Sequence, residues 1–323
     1  MWVLLISAGF IGFSNHAQRI RKIVEMSGRV RTDVVFHPKK KLEHSKTSNK
    51  LETLKKCDAV FILSPNHTHF HYLQYFSHDY SGYIYCEKPP VTTFEELEKL
   101  SLLPLDPSKV FFNFQLRFSS LREVLEKSLE DGSIGDPLNC SILSTQGLAF
   151  KKNYAKSWRA DIKQHPNGIA ETKAIHFIDL LSILFGSPVD YSYKPTNRSG
   201  NGTAFDTCNF SLTFKNDLHA NLVMSYAAPL TFEFSILGTN GLLEYRNNCL
   251  TLRTPRDSFD DRGYFRVPPE TLRIESQGMG TDLTQESLER SLGYFISHVD
   301  TNQSFPKELF EHSLSTNRFI LNL

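Results

Sequence analysis

The chain is short of the residues that make covalent or metal staples. Its 323 residues include five cysteines (Cys57, Cys86, Cys140, Cys208 and Cys249), scattered and odd in number, with no C-x-x-C spacing and no Cys/His cluster. That pattern excludes a disulfide framework and a structural zinc site, and it points to reduced thiols in the cytoplasm. No metal ligand set is expected. Net charge is nearly absent too: 36 Lys and Arg against 35 Asp and Glu leave +1, which gives no reason to expect nucleic acid or an anionic membrane as partner. No apolar run reaches the roughly 18 residues of a membrane span. The N-terminal stretch Met1–Gly12 is apolar, but it lacks the basic residues that precede a leader's core and is broken by glycine, so it reads as a first strand. Repeats and low-complexity segments are missing as well. What remains is ordinary for a globular protein, 40% hydrophobic and 22% charged, with length enough for two domains.

Taken in order, the chain opens with strand-like Val3–Ile6, the turn Ser7-Ala-Gly-Phe-Ile-Gly12 and a helical stretch carrying Ile20, Ile23 and Val24. A strand, a glycine turn and a helix fit the start of a dinucleotide fold, in which glycine lets the backbone approach a pyrophosphate at a helix N-terminus. Ser7 replaces the first glycine of G-x-G-x-x-G. The next strand, Thr32–Phe36, ends at His37 rather than at the acidic residue that binds a ribose hydroxyl, and Lys39, Lys40 and Lys41 follow. A 2′-phosphate suits that charge, which favours NADP over NAD; a solvated basic turn has the same composition. Strands at Asp58–Leu63, Tyr83–Cys86 and Val110–Phe114 alternate with helices at His69–Phe76 and Phe94–Leu102. This alternation predicts a doubly wound parallel sheet over residues 1–116. From 117 to 323 the pattern changes to a helix at Ser120–Glu130, several antiparallel strands, a helix at Ile169–Phe185 and two tail helices, Thr284–Val299 and Lys307–Phe319. The expectation is an α/β domain with a large, mostly antiparallel open sheet that binds substrate and pairs subunits.

Two stretches carry candidate chemistry. Tyr83-Ile-Tyr-Cys-Glu-Lys-Pro-Pro90 places Lys88 at the end of a buried strand, on backbone stiffened by two prolines. Ligands of parallel sheets bind beyond such strand ends, so Lys88 is a candidate acid, base or clamp; a surface Glu–Lys pair is the alternative. In helix 169–185, Thr172, His176 and Asp179 fall on one stripe. Asp179 lies within reach of the His176 ring N–H, a spacing suited to general acid–base work and equally to a core histidine satisfied by an aspartate.

Gly9/Gly12, Ser64-Pro-Asn-His-Thr-His69, Cys86-Glu-Lys-Pro89, Gln115-Leu-Arg-Phe118, Trp158-Arg159 and Asn167-Gly168…His176-Phe-Ile-Asp179…Leu184-Phe-Gly186 occur in that order. Together they resemble the glucose–fructose oxidoreductase/inositol dehydrogenase (Gfo/Idh/MocA) family, over most of the chain to about residue 245. The resemblance implies a Rossmann domain, an open-sheet domain that forms homodimers or homotetramers, and NAD(P)-dependent hydride transfer at a sugar, cyclitol or nucleotide-sugar carbon. It implies that Lys88 lies by the nicotinamide and the substrate hydroxyl and that His176, with Asp179, is the acid–base group. Gly9, Phe10, Ile11, Gly12, His37, Ser64, Pro65, Asn66, His69 and Glu87 would hold the cofactor. Trp158, Arg159 and Thr172 would meet the substrate. Members often carry Asp four residues before the histidine, where this chain has Thr172. That substitution leaves room for a regulatory protein that binds dinucleotide without turnover, and an imine or dihydrodiol is a further possible substrate. The basic, aromatic loop 151–167 suits an anionic sugar; a solvated loop has the same composition.

Overall fold

The first strand runs further than its apolar residues suggest; Val3 and Leu4, where it was expected to begin, lie outside the described residues. In a computed structural model describing residues 5–38, 46–275 and 282–323, β1 spans Ile6–Ile11 and continues past Gly9, with a shift of its register against the next strand between Ala8 and Gly9. The turn then falls on Gly12–Ser14. Helix α1 (Asn15–Met26) follows, capped by Ser14, whose hydroxyl accepts from the Ala17 N–H at 3.2 Å. Ala17, Ile20 and Val24 form its buried stripe.

The remaining strands of this unit are β2 (Val30–Phe36), β3 (Thr47–Ser48), β4 (Ala59–Ile62), β5 (Tyr83–Glu87) and β6 (Val110–Asn113). They form one parallel sheet in the order β3-β2-β1-β4-β5-β6, the doubly wound arrangement expected for a dinucleotide-binding unit. β4 and β5 are buried along their whole length, as expected for strands covered on both faces. Helices α2 (His69–Phe76) and α3 (Phe94–Leu102) occupy the predicted residues. Thr93 and Glu96 form a reciprocal cap on α3: the Glu96 N–H donates to Thr93 Oγ1 and the Thr92 N–H to the Glu96 carboxylate.

The second unit begins with α4 (Ser120–Glu130), capped by Ser119, and continues through β7 (Pro137–Thr145) into α5 (Ile175–Phe185). Strands β8 (Asp190–Thr196), β9 (Thr207–Thr213), β10 (His219–Ser225), β11 (Thr231–Gly238), β12 (Leu242–Arg246), β13 (Cys249–Arg253) and β14 (Glu270–Glu275) complete it. Its eight-stranded sheet has the order β14-β13-β12-β11-β7-β10-β9-β8 and is antiparallel except where β7 runs parallel to β10. Alternating residues of β9 and β10 are buried, so one face is packed and the other open.

The tail corrects the expected domain boundary. Helices α6 (Asp282–Asp300) and α7 (Lys307–Leu321) were assigned to the second domain, but Leu288–Asn322 belongs with Met1–Phe114, while the second unit is Gln115–Ser287. The reason is aromatic packing that sequence order hides. Phe295 lies 5.2 Å from Phe61, 5.3 Å from Tyr85 and 5.9 Å from Phe111. A ring of this size contributes about 1.5–3 kcal/mol on burial. Asn317 then clips the backbone of Val91, accepting from its N–H at 3.0 Å and donating to its carbonyl at 3.2 Å. Among the described residues, no helix is long and apolar enough to cross a membrane.

Candidate active site

In the first unit, Gly9, Phe10 and Ile11 are not in the cofactor turn as expected. They pair with β2 and β4 inside the sheet, and Phe10 stacks on Phe61 at 4.7 Å. Gly9 is required by packing: a Cβ there would stand 2.3 Å from Leu54 Cδ2. The glycine that makes the turn is Gly12, with φ +111° and room for a Cβ only 2.7 Å from the Leu63 carbonyl oxygen. The phosphate-binding pattern therefore reads Gly12-x-Ser14-x-x-Ala17, displaced five residues from the one the sequence suggests. Gly12→Ala is expected to weaken dinucleotide binding about ten- to a hundredfold, from roughly 1–3 kcal/mol of turn strain. Gly9→Ala should instead lower the denaturation midpoint by about 1–3 kcal/mol and leave the folded protein's affinity alone. Titration of both variants with NADH decides; an affinity loss confined to Gly9→Ala returns the turn to the upstream glycine.

Beyond β4, Ser64, Pro65, Asn66 and His69 do different jobs. His69 is fully buried between two carbonyls, with Nδ1 2.8 Å from Pro89 O and Nε2 2.9 Å from Ser64 O. Burial pushes its pKa down, so the neutral ring donates to one carbonyl at a time. It ties the end of β4 to the Lys88–Pro89 segment, a supporting role rather than contact with a cofactor. The Ser64 hydroxyl accepts from Thr68, and half-buried Pro65 leads into the short turn that follows. Asn66 differs: it is buried, yet its Nδ2 has no partner. An orphaned amide beyond a central strand fits a dinucleotide, whose oxygens would satisfy it. The Gly12 turn, the α1 N-terminus and Asn66 would therefore hold NAD(P).

Glu87, expected at the cofactor, is committed within the protein. Asn113 donates to it at 2.9 Å and His16 Nε2 lies 3.2 Å away. Burial alone would raise its pKa, but the His16 and Lys88 charges and these hydrogen bonds outweigh that and bring the carboxyl to about 2. Lys88 itself is half-buried at the C-terminal end of β5, on a cis peptide bond to buried Pro89. His37 follows β2, half-buried, with its N–H on Ser48 O; Lys39, Lys40 and Lys41 lie outside the described residues.

In the second unit, α5 does not begin as an α-helix. Residues Ala170–Ala174 form a π turn, in which the Ile175 N–H reaches back to Ala170 O. Such turns are rare and cluster at functional sites. Their wider spacing brings Glu171, five residues before His176, round toward the His176 stripe; an α-helix would hold it about 140° away. Thr172, the expected stripe residue, accepts a hydrogen bond from the buried Tyr226 hydroxyl at 2.7 Å.

Glu171 is buried and pairs with His165, Nε2 to Oε1 3.1 Å. His165 Nδ1 sits 3.0 Å from the Arg159 carbonyl, which only accepts, so Nδ1 carries a hydrogen. The facing Nε2 and the Glu171 carboxylate thus stand within ion-pair distance of each other, both fully buried. Trp158 meets His165 edge-on at 5.1 Å and carries the Arg159 guanidinium 4.4 Å above its ring.

Asp179 corrects another expectation. Both its oxygens accept from Arg117, Nε at 2.8 Å and Nη2 at 2.6 Å, in a pair whose side chains are 2% and 0% exposed. The carboxylate expected to hold the His176 tautomer is thus engaged by a guanidinium 62 positions away. His176 is half-buried one turn before it. Among the described residues no cluster with a metal-ligand set occurs. Sequence reasoning missed His165 and Tyr226; Arg117 stood inside a quoted motif without a role. Nothing local signalled the His165–Glu171 contact.

Comparison with known proteins agrees with this architecture. The family model described as an NAD-binding Rossmann fold oxidoreductase matches residues 6–111, and the model of the C-terminal alpha/beta domain of the same family matches 126–286. The human trans-1,2-dihydrobenzene-1,2-diol dehydrogenase is 24% identical over 169 residues, which span 51% of this chain and 48% of that protein. Levoglucosan dehydrogenase in complex with NADH and levoglucosan superposes with a TM-score of 0.79 at 18% identity, covering 97% of this chain and 95% of the other. A myo-inositol dehydrogenase from Corynebacterium glutamicum gives 0.74 at 16% identity, covering 99% and 95%. With both of its domains matched, the chain belongs to the Gfo/Idh/MocA oxidoreductase family.

Proposed function

We propose that this protein is an NAD(P)-dependent dehydrogenase acting on a secondary hydroxyl of a sugar or cyclitol. The observation that carries the reading is Lys88 at the C-terminal end of β5, its following residue held by His69, within a unit matched as NAD-binding. The names of its relatives, dehydrogenases of a dihydrobenzenediol, levoglucosan and myo-inositol, support the same class. A bound nicotinamide supplies the hydride acceptor or donor. Lys88, as a cation, polarises the carbon–oxygen bond and stabilises the developing alkoxide. His176 takes the hydroxyl proton on oxidation and returns it on reduction. His37 in place of an acidic residue after β2 removes the charge that would repel a 2′-phosphate, so NADP is the preferred cofactor. The open sheet face, with Val223 and Leu237 exposed, supports self-association. Absorbance at 340 nm with NAD and NADP over a panel of sugars and cyclitols tests the assignment. Turnover, faster with NADP, is expected. Tight dinucleotide binding without turnover across the panel would identify a sensor of the same fold instead.

A further inference from the structure

The second unit holds charged groups that the mechanism above does not use, among them the buried Asp206, which accepts from the Arg198 and Ser199 N–H groups and the Thr207 hydroxyl. Near His176 the buried Asp179 is paired with the Arg117 guanidinium, and the buried Glu171 faces His165. Two cations of the same region have no such partner. Lys173, one helical turn before His176, donates from Nζ to the Ser144 hydroxyl at 2.7 Å, and Arg159 rests on the Trp158 ring. Among the described residues neither lies within 4 Å of a carboxylate, while Arg122, Arg246 and Arg253 of the same unit each do.

Both cations bear on the C-terminal ends of the parallel pair β7 and β10, Lys173 through Ser144 and Arg159 through Tyr226. Ser144 stands opposite Met224, and Tyr226 follows two residues later on the same packed face. Arg159 acts on the Tyr226 hydroxyl, whose pKa burial raises while Arg159 pulls it down; that hydroxyl donates to Thr172, the neighbour of Lys173. The cluster Arg159–Tyr226–Thr172–Lys173 thus caps the C-terminal ends of two parallel strands. Burial lowers the Lys173 pKa to about 8, so at neutral pH its ammonium is still mostly charged, with one hydroxyl in place of water. A desolvated cation in that state is favoured by an incoming anion, and a guanidinium braced by an indole presents a fork matched to carboxylate or phosphate oxygens.

We propose that the substrate is an anionic polyol, a sugar or cyclitol bearing a carboxylate or phosphate, whose anion is held by Arg159 and Lys173. The proposal rests on the dehydrogenase reading above and narrows its substrate. Initial rates with matched compounds test it: glucose, glucuronate and glucose 6-phosphate at saturating cofactor. The anionic members are expected to exceed glucose in kcat/KM by about ten- to a hundredfold, the worth of one or two charge-assisted hydrogen bonds. Glucuronate ahead of the phosphate, or the reverse, says which anion fits. In Arg159→Ala and Lys173→Met, each checked for an unchanged melting temperature, that preference should collapse toward one, mainly through KM. Turnover of glucose equal to that of both anions, or a preference untouched by either substitution, overturns the proposal and leaves the dehydrogenase reading standing. If no compound is turned over, calorimetry of the NADPH-saturated protein decides. Glucuronate or glucose 6-phosphate bound by the wild type and lost in Arg159→Ala upholds the anion site, and binding no tighter than glucose ends it.

Discussion

Lys88→Ala is expected to lower kcat by about 10²–10³-fold, the loss typical when one preorganised donor to a developing oxyanion is removed. The side chain is positioned from below by several independent restraints. β5 is buried along its length, Pro89 and Pro90 are buried, and His69 bonds the Pro89 carbonyl. Truncation at Cβ leaves these contacts in place, so the dinucleotide Kd, followed by NADPH fluorescence, should change little. The expected signature is a fall in kcat with cofactor affinity preserved. Turnover within a factor of two of wild type would remove Lys88 from the chemistry. Loss of cofactor affinity without loss of kcat would recast it as a binding residue.

A second large effect is expected in stability. Asp179→Asn leaves the Arg117 guanidinium buried without its counter-charge, and breaking a buried pair in this way costs about 3–5 kcal/mol. Replacing both partners with apolar residues of similar volume, Arg117→Met with Asp179→Leu, should recover most of that loss, because the penalty lies in the orphaned charge. Urea midpoints of the single and double variants measure this. A single substitution that leaves the midpoint unmoved would mean that the guanidinium finds water or another carboxylate. Turnover of the folded fraction adds a separate reading. A catalytic tautomer-holder predicts a fall in kcat beyond the loss of folded protein, whereas a purely structural pair predicts none.

Local chemistry was legible and long-range chemistry was not. Helices α2, α3 and α4 begin and end where the sequence places them, and α3 and α4 do so because Thr93 and Ser119 cap them with side chains a few residues away. Lys88 at a strand end could be read from its prolines. The glycine turn was misplaced because Ser7–Gly12 satisfies a short pattern as well as Gly12–Ala17 does. What separates the two is long-range: the pairing of Gly9–Ile11 with β2 and β4, the Leu54 side chain against Gly9, 45 positions away, and the Leu63 carbonyl against Gly12. The tail helices went to the wrong unit for the same reason: Phe295 is an ordinary apolar residue until Phe61 and Tyr85 are beside it. At the candidate site, helix spacing does not reveal that Arg117 arrives from 62 positions away to claim Asp179, or that His165 folds back from the preceding loop onto Glu171.

The π turn at Ala170–Ala174 also changes how this helix can be compared with others. A π turn accommodates one residue more than an α turn covering the same stretch. Residues before it therefore count back from His176 in fives, and residues after it count forward in threes and fours. An alignment without a gap puts Thr172 in the column four before the histidine. One that grants the turn its extra residue puts Glu171 there, and with it a carboxylate. Removing a single residue from 172–174 would draw the helix in by about 1.5 Å and rotate its N-terminal end by about 100°, carrying Glu171 away from His165.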